Sequence, residues 1–118
     1  MTRVVLRIDF ANDHHLGHGR IELLELIAEN GSISKAAKAM GMSYKRAWYL
    51  AESINQTFAQ PVVARRHGGA GGGAAELTAF GQDVVRCYRA MEAHVLKACA
   101  QEIRTLERKL ATAPPAAR

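Results

Sequence analysis

The feature that most constrains the fold is a tight helix-turn-helix signal in the first half of the chain. Ser34 opens one helical run, Gly41 ends it, and Ser43 opens a second run that reaches about Phe58. Serine is a favoured N-cap, and glycine readily adopts the positive φ that a short turn requires. Two helices joined so tightly must cross closely, and the small pair Ala36-Ala37 lets their backbones approach.

The flanking patterns predict the remaining elements. Alternating apolar residues predict a strand with one buried face over residues 3–10, and a wide apolar face predicts a helix from Arg20 to Glu29, with Asn30-Gly31 as its left-handed stop. We further predict a connecting loop over residues 11–19, strands over 61–66 and 74–77, and a helix from the cap Thr78 to about Leu110. The predicted fold is mainly α with a small β wing: a winged helix-turn-helix followed by a long C-terminal helix. We expect one domain over residues 1–110 and a disordered tail over 111–118.

The second helix of the predicted pair has an outer face that suits nucleic acid. If Ala47, Ala51 and Ile54 face the core, the 100° step per residue places cationic and aromatic side chains on the opposite side. In a helix-turn-helix, the amino-terminal residues of this helix meet base edges in the major groove of DNA. Trp48 fits two alternatives, a base contact or core packing. The candidate DNA-contacting residues are Ser43, Tyr44, Lys45, Arg46, Trp48 and Tyr49.

A glycine-rich segment between residues 68 and 73 follows two arginines. No Gly-Lys-Ser or Gly-Lys-Thr follows it, so the segment does not fit a nucleotide-binding phosphate loop. An uncharged tip behind two cations instead suits a wing whose backbone N–H groups approach DNA phosphates. A merely flexible loop is the alternative. The candidate wing contacts are Arg65, Arg66, Gly68, Gly69, Gly71 and Gly72.

Composition and charge narrow the function classes. The formal net charge of +5 favours nucleic acid or another anionic surface as partner. No apolar run approaches the roughly 18 residues of a membrane span, and the start lacks a signal-peptide stretch, so we expect a cytoplasmic protein without membrane contact. Cys87 and Cys99 would lie about 18 Å apart on one helix, too far to form a disulfide, and we expect buried, reduced thiols.

Catalysis and metal binding are not predicted. Serines that could act as nucleophiles have helix-capping explanations, so we expect no enzyme. Asp13 with three loop histidines could form a metal site, but histidines without a spaced second pair are more often ordinary polar loop residues. We therefore predict no metal and no cofactor; the histidines are His14, His15 and His18.

Three stretches together resemble a known family: residues 33–37 (ISKAA), residues 43–48 (SYKRAW) and the glycine-rich wing closing on Leu77-Thr78. They are similar to the amino-terminal DNA-binding domain of the ModE family, molybdate-responsive bacterial transcription regulators whose domain is itself similar to the LysR-type winged helix. The resemblance covers about residues 3–108. It implies double-stranded DNA as partner, the third helix in the major groove and the wing alongside.

The resemblance also implies a homodimer in which the first helix and the long last helix pack between subunits. An apolar stripe along the last helix agrees with this, because it is longer than so small a domain needs for its own core. A helix that packs back on its own subunit is the alternative. The implied interface residues are Val84, Tyr88, Met91, Val95, Cys99, Ile103 and Leu106.

The sequence departs from the ModE pattern after the helical region. Members of that family continue into a pair of molybdate-binding modules, whereas this sequence stops at Arg118. Direct molybdate sensing is therefore not carried over. Three alternatives follow: a constitutive regulator, one that senses through a separate effector-sensing protein, or one that answers another signal. A rival hypothesis is a protein-interaction module acting through its long helix, since Glu52 lies on the supposed DNA-reading face.

Overall fold

The computed structural model describes residues 2–66 and 74–112, and the predicted wing contacts Gly68, Gly69, Gly71 and Gly72 lie outside them. Within the described residues, one small antiparallel hairpin precedes the first three helices and a second follows them, before the last two helices. This arrangement confirms the mainly α fold with a β wing. The elements are β1 (Arg7–Asp9), β2 (His15–Gly17), α1 (His18–Asn30), α2 (Ile33–Ala39), α3 (Tyr44–Thr57), β3 (Val63–Arg66), β4 (Ala74–Leu77), α4 (Ala79–Ala98) and α5 (Ala100–Glu107).

The first hairpin corrects the prediction of a connecting loop over residues 11–19. Strand β2 lies inside that range and pairs with β1 in a register that sets Ile8 opposite Leu16. The turn is closed by the Phe10 N–H, which donates to the His14 carbonyl at 2.8 Å, and Asp13 takes a positive φ of 68°. A three-residue strand is too short to show a period of two, which is why the pattern missed it. Helix α1 follows at once, starting at His18 rather than Arg20.

Backbone caps set the helix boundaries. Gly31 (φ 73°) ends α1 and Gly41 (φ 68°) forms the turn, as predicted. Ser43 caps α3, since its hydroxyl accepts a hydrogen bond from the Arg46 N–H at 3.1 Å. The predicted start of α2 at Ser34 is wrong: Ser32 is the cap, and its hydroxyl accepts from the Lys35 N–H at 3.0 Å. The earlier start places Ile33 in the core.

The core centres on α1, whose apolar residues are packed between α2, α3, the wing strands and α4. Small residues on the partners let these helices pack closely, so that Ala36, Ala37, Ala47 and Ala51 are all essentially inaccessible to solvent. The largest fully buried side chains are Tyr88, Ile21, Leu23, Leu24, Ile27, Ile33, Ile54 and Val62.

An ion pair between Arg89 of α4 and Glu25 of α1 connects the two helices at the surface. The Arg89 guanidinium donates to both carboxylate oxygens of Glu25, at 2.7 and 3.0 Å, and to Glu92 at 2.7 Å. The hydrogen bond from Arg89 lowers the pKa of the Glu25 carboxyl, although partial burial opposes it. The same contact with Glu25 raises the pKa of Arg89. This bidentate contact fixes the direction in which α4 leaves the domain.

The predicted single long helix is interrupted. Cys99 (φ −103°, ψ 14°) separates α4 from α5, and α5 ends at Glu107 rather than near Leu110. The Cys99 N–H donates to the Val95 carbonyl and closes the last turn of α4, and the Cys99 carbonyl accepts from the Ile103 N–H and opens the first turn of α5. Of the described residues beyond Tyr88, none is buried, so this end of the chain packs little against its own domain.

The predicted interface stripe therefore divides into two parts. Val84 and Tyr88 lie in the chain's own core, and the Tyr88 hydroxyl donates to the Leu6 carbonyl at 2.7 Å. Met91 is half-buried against the same core. Val95, Cys99, Ile103 and Leu106 are half-buried or exposed. The expectation of buried thiols is wrong for Cys87, which is exposed at the edge of the α4 face that Val84 and Tyr88 bury.

Candidate nucleic-acid interface

Helix α3 has one fully buried face and one open face. Ala47, Ala51 and Ile54 are buried, as predicted. The amino-terminal half of the helix presents cationic and aromatic side chains to solvent, and Tyr49 is the most open of its large apolar residues at 64% exposure. The structure brings together on this surface Ser43, Tyr44, Lys45, Arg46, Trp48 and Tyr49, all of which are exposed.

Trp48 belongs to the surface and not to the core. It is 38% exposed, and the guanidinium carbon of Arg65 lies 4.9 Å from its ring centroid. This is a cation–π arrangement, which holds the arginine of the wing strand against the helix. Of the two alternatives for Trp48, core packing is therefore wrong.

Arg65 also forms an ion pair with Glu52 on α3, and both side chains are about two-thirds buried or more. Glu52 is consequently neutralised by the wing rather than left facing solvent alone. Arg66, by contrast, is exposed and donates from Nε to Glu76 of β4 at 2.9 Å. The two arginines predicted as equivalent wing contacts thus have different surroundings, one tied to α3 and one at the outer edge of the hairpin.

Asn55 was missed by the sequence analysis, yet it joins the wing to α3. Its side-chain oxygen accepts from the N–H groups of Val62 and Val63 at 2.7 and 2.9 Å, and its amide nitrogen donates to the Val63 carbonyl at 3.0 Å. Three hydrogen bonds from one half-buried amide set the angle at which β3 leaves the helix. A single asparagine at the end of a helix carries no sequence signal for such a contact.

Thr78 secures the other side of the wing. Its N–H donates to the Val62 carbonyl at 3.0 Å and its hydroxyl donates to the Pro61 carbonyl at 2.7 Å. The same hydroxyl accepts from the Gly81 N–H at 2.9 Å, which caps α4. The base of the wing is therefore held between α3 and α4, so that the hairpin and the open face of α3 form one surface.

The histidines near the first hairpin engage in local contacts. His14 Nδ1 lies 3.2 Å from the Thr57 hydroxyl, His15 Nε2 accepts from Arg20 Nε at 3.2 Å, and His18 lies 3.7 Å from Glu22. Burial and the nearby charges of Arg20 and Arg7 lower the pKa of His15, against the opposing charge of Asp9. Among the described residues, no three His, Cys, Asp or Glu side chains come together as a metal site.

Within the described ranges, no helix is both long and apolar enough to cross a membrane.

Comparison with known proteins identifies the helix-turn-helix and wing region. The family model described as "Bacterial regulatory helix-turn-helix protein, lysR family" matches residues 18–82. A solved structure described as "Crystal structure of CbnR_DBD-DNA complex" matches with a TM-score of 0.57 and 18% identity, over 75% of this chain and 95% of that one. At this identity the structural match shows the shared fold.

Curated relatives extend the comparison. The "Molybdenum transport protein ModE" of Azotobacter vinelandii is 41% identical over 93 residues, which is 77% of this chain and 34% of that protein. The "Molybdenum-pterin-binding protein MopB" of Rhodobacter capsulatus is 44% identical over 70% of this chain and 30% of its own length. The "DNA-binding transcriptional dual regulator ModE" of Escherichia coli K12 is 48% identical over 58% and 26%, respectively. The chain spans about a third or less of each relative that it matches.

Proposed function

The chain belongs to the lysR family of bacterial regulatory helix-turn-helix proteins, and from this premise we propose that it is a DNA-binding transcriptional regulator of the ModE-like type. The observation that carries the proposal is the open face of α3. A helix buried on one side by Ala47, Ala51 and Ile54 presents cations and aromatic rings on the other, beside a wing fixed to it by hydrogen bonds. This face has the chemistry that major-groove recognition requires.

Each candidate residue then has a role. We propose that Lys45 donates to base edges, since it projects from the first turn of α3, where such helices meet the groove. Tyr44 and Tyr49 contact phosphates or thymine methyl groups, and Trp48 holds Arg65 in place. Arg66, with the glycine-rich segment behind it, follows the DNA backbone.

The rival protein-interaction module drew its support from Glu52 on the reading face. The ion pair with Arg65 removes that support, because the carboxylate then carries no uncompensated negative charge toward DNA. The names of two relatives contain the word molybdenum. We propose no molybdenum binding for this chain, because most of the length of those relatives lies outside the matched regions. We propose no catalytic activity for the chain.

The proposal is tested by the salt dependence of duplex binding. Replacing Arg66 with glutamine should weaken binding to all duplexes alike and reduce the slope of log K against log salt by about 0.9, one phosphate contact. Arg65→Gln should reduce the affinity for duplex DNA more than Arg66→Gln does, because it also leaves Glu52 unpaired on the DNA-facing side. Arg86→Gln, an exposed arginine of α4, is the matched control and should leave the slope unchanged.

Filter binding of the wild-type chain and the three variants to genomic fragments, repeated over a range of salt concentrations from low salt upward, measures both the affinity and the slope. A folded wild-type chain without affinity for any duplex would refute the proposed function.

We further propose that the chain is a homodimer formed through the projecting end of α4 and through α5. Support comes from the apolar side chains that this region leaves open, among them Leu96 at 45% and Leu106 at 69% exposure. A second copy would cover both. A separate effector-sensing protein remains a prediction, because the proposed dimer neither requires nor excludes one.

Leu106→Glu should shift the chain from dimer to monomer, because it places a charge in the apolar stripe of α5. Thr105→Glu, one position away and hydrogen-bonded within its own helix, is the control and should leave the dimer intact. Sedimentation equilibrium measures both. An unchanged mass for Leu106→Glu would exclude α5 from the interface, and a monomeric wild-type chain would exclude the dimer.

A further inference from the structure

An open cavity of about 520 Å³ lies between the first hairpin, the beginning of α1 and one flank of α3. Three arginines from three different elements line it: Arg7 of β1, Arg20 of α1 and Arg46 of α3. Of the described residues that line this hairpin cavity, none is an aspartate or a glutamate. Arg7 is paired with Asp9 at 2.8 Å outside the lining, whereas Arg20 and Arg46 have no acidic partner among the described residues.

Arg20 has a buried donor that lacks a hydrogen-bond acceptor within the described part of the chain, and a bound anion would supply one. Its Nη1 atom is shielded from solvent and has no hydrogen-bond partner among the described residues, while its Nε donates to His15 at 3.2 Å. Burial lowers the pKa of the guanidinium and the positive charges of Arg46 and Arg7 lower it further, against the opposing influence of Tyr49. A buried cationic donor without an acceptor is costly, so an anion at this point would relieve both the missing hydrogen bond and the mutual repulsion.

The chemistry of the lining selects the kind of anion. Guanidinium groups bind the oxygens of phosphate in a bidentate manner, and several can share one phosphate group. Gly17 and Gly19 line the same cavity where α1 begins, so no side chain beyond Cα blocks the approach of a ligand to the backbone there. These features fit a tetrahedral oxyanion better than a neutral ligand.

The position of the hairpin cavity relates it to the proposed DNA surface. Arg46 lines the cavity, while Trp48 contacts the wing arginine; two residues turn a helix by about 200°, so they lie on nearly opposite flanks of α3. A helix in the major groove, which is about 12 Å wide, has a phosphate backbone on each side. With the wing at one of these backbones, the hairpin cavity lies toward the other.

We propose that the hairpin cavity binds a backbone phosphate of DNA on the strand across the major groove from the wing, with Arg20 as its central ligand. The inference rests on the proposed function, since it assumes that α3 enters the groove. A free phosphate ion has the same chemistry and is the alternative source of the ligand.

The test compares Arg20→Gln and Arg20→Lys with the wild-type chain in duplex binding over a range of salt. Arg20→Gln should weaken binding to every duplex about tenfold and reduce the salt slope by about 0.9. Arg20→Lys keeps the charge and should restore the slope. Arg86→Gln on α4 is the control, and thermal unfolding of each variant confirms that it is folded. A second arm titrates inorganic phosphate into the DNA-free chain and follows the His15 ring by NMR.

The outcomes separate the two claims. If the wild-type chain binds duplexes and the folded Arg20→Gln variant binds them with the same affinity and slope, the contact with a DNA phosphate is overturned while the proposed function stands. If the wild-type chain binds no duplex, the proposed function fails and the DNA phosphate site fails with it. Inorganic phosphate could instead shift the His15 resonances to saturation in the wild-type chain but not in Arg20→Gln, while both chains have the same salt slope in duplex binding. In that case the ligand is a free anion and the DNA assignment is overturned.

Discussion

Replacing Gly81 with alanine is expected to lower the free energy of unfolding by about 1–3 kcal/mol, and to do so near the upper end of that range. A Cβ at this position would lie 2.2 Å from the Val62 carbonyl oxygen and 3.1 Å from its carbonyl carbon. The clash is with backbone, which no side-chain rotation relieves. Val62 is itself held by Asn55 and by Thr78, so the strand cannot withdraw without losing hydrogen bonds.

Gly19→Ala provides the matched control. Gly19 also lies in the first turn of a helix, but a Cβ there meets nothing within 4 Å. Helix propensity alone would make both substitutions stabilising by up to about 1 kcal/mol, so opposite signs at the two glycines would isolate the steric effect. Urea unfolding followed by circular dichroism measures both. An unchanged or increased stability of Gly81→Ala would contradict the close approach of α4 to Val62, the residue before β3.

Replacing Lys45 and Arg46 together with alanine is expected to have the largest effect on DNA recognition. Each good base contact contributes about 1–3 kcal/mol of discrimination, so loss of the Lys45 contact alone should reduce the preference for the tightest-bound fragment roughly 5- to 150-fold. Arg46 lies on the flank of α3 at the hairpin cavity, and Arg46→Ala should instead weaken all duplexes alike. The double variant should show both losses.

The control for this pair is Arg86→Ala with Lys97→Ala, which removes the same two residue types from exposed positions of α4. It lowers the net charge equally and should leave the ratio of specific to non-specific affinity unchanged. Competition binding of the best fragment against an unrelated duplex measures the ratio. An equal loss in both double variants would mean that net charge, rather than the face of α3, governs binding.

The helix-turn-helix could be predicted from the sequence because its signals are local. Ser43, Gly41 and the alanine faces act within a few residues of their own positions, and the structure places them as expected. The end of α1 at Gly31 was predictable for the same reason. The wing hairpin followed from two short strands around a glycine-rich segment; the second strand matches its predicted range, whereas the first pairs over 63–66 and not over the whole of 61–66.

Features that depend on contacts distant in sequence could not be predicted. Asn55 reaches the wing strand, Arg20 reaches the hairpin cavity and Tyr88 reaches the Leu6 carbonyl, and none of these contacts has a local pattern. Ser32 and Ser34 are equally good caps by local chemistry, so the sequence alone did not show that Ser32 caps α2 and that Ile33 joins the core. The apolar stripe of the last helix showed periodicity but not which of its residues the chain's own core would bury.

The same reasoning explains the interruption at Cys99. No glycine or proline lies near this residue, and Cys99 keeps its own regular hydrogen bonds, with the Val95 carbonyl and with the Ile103 N–H. A change of backbone angle at one residue therefore leaves no sequence signal. The break lies within the proposed dimer interface, between Leu96 of α4 and Leu106 of α5.

The most direct test of the central claim is selection of binding sites from a pool of random duplexes by the wild-type chain. We predict that repeated selection enriches one sequence motif, and that the folded Lys45→Ala variant retains affinity for duplexes but fails to enrich that motif. A folded wild-type chain that enriches no motif, or a variant that enriches the same motif as the wild-type chain, would contradict sequence reading by α3.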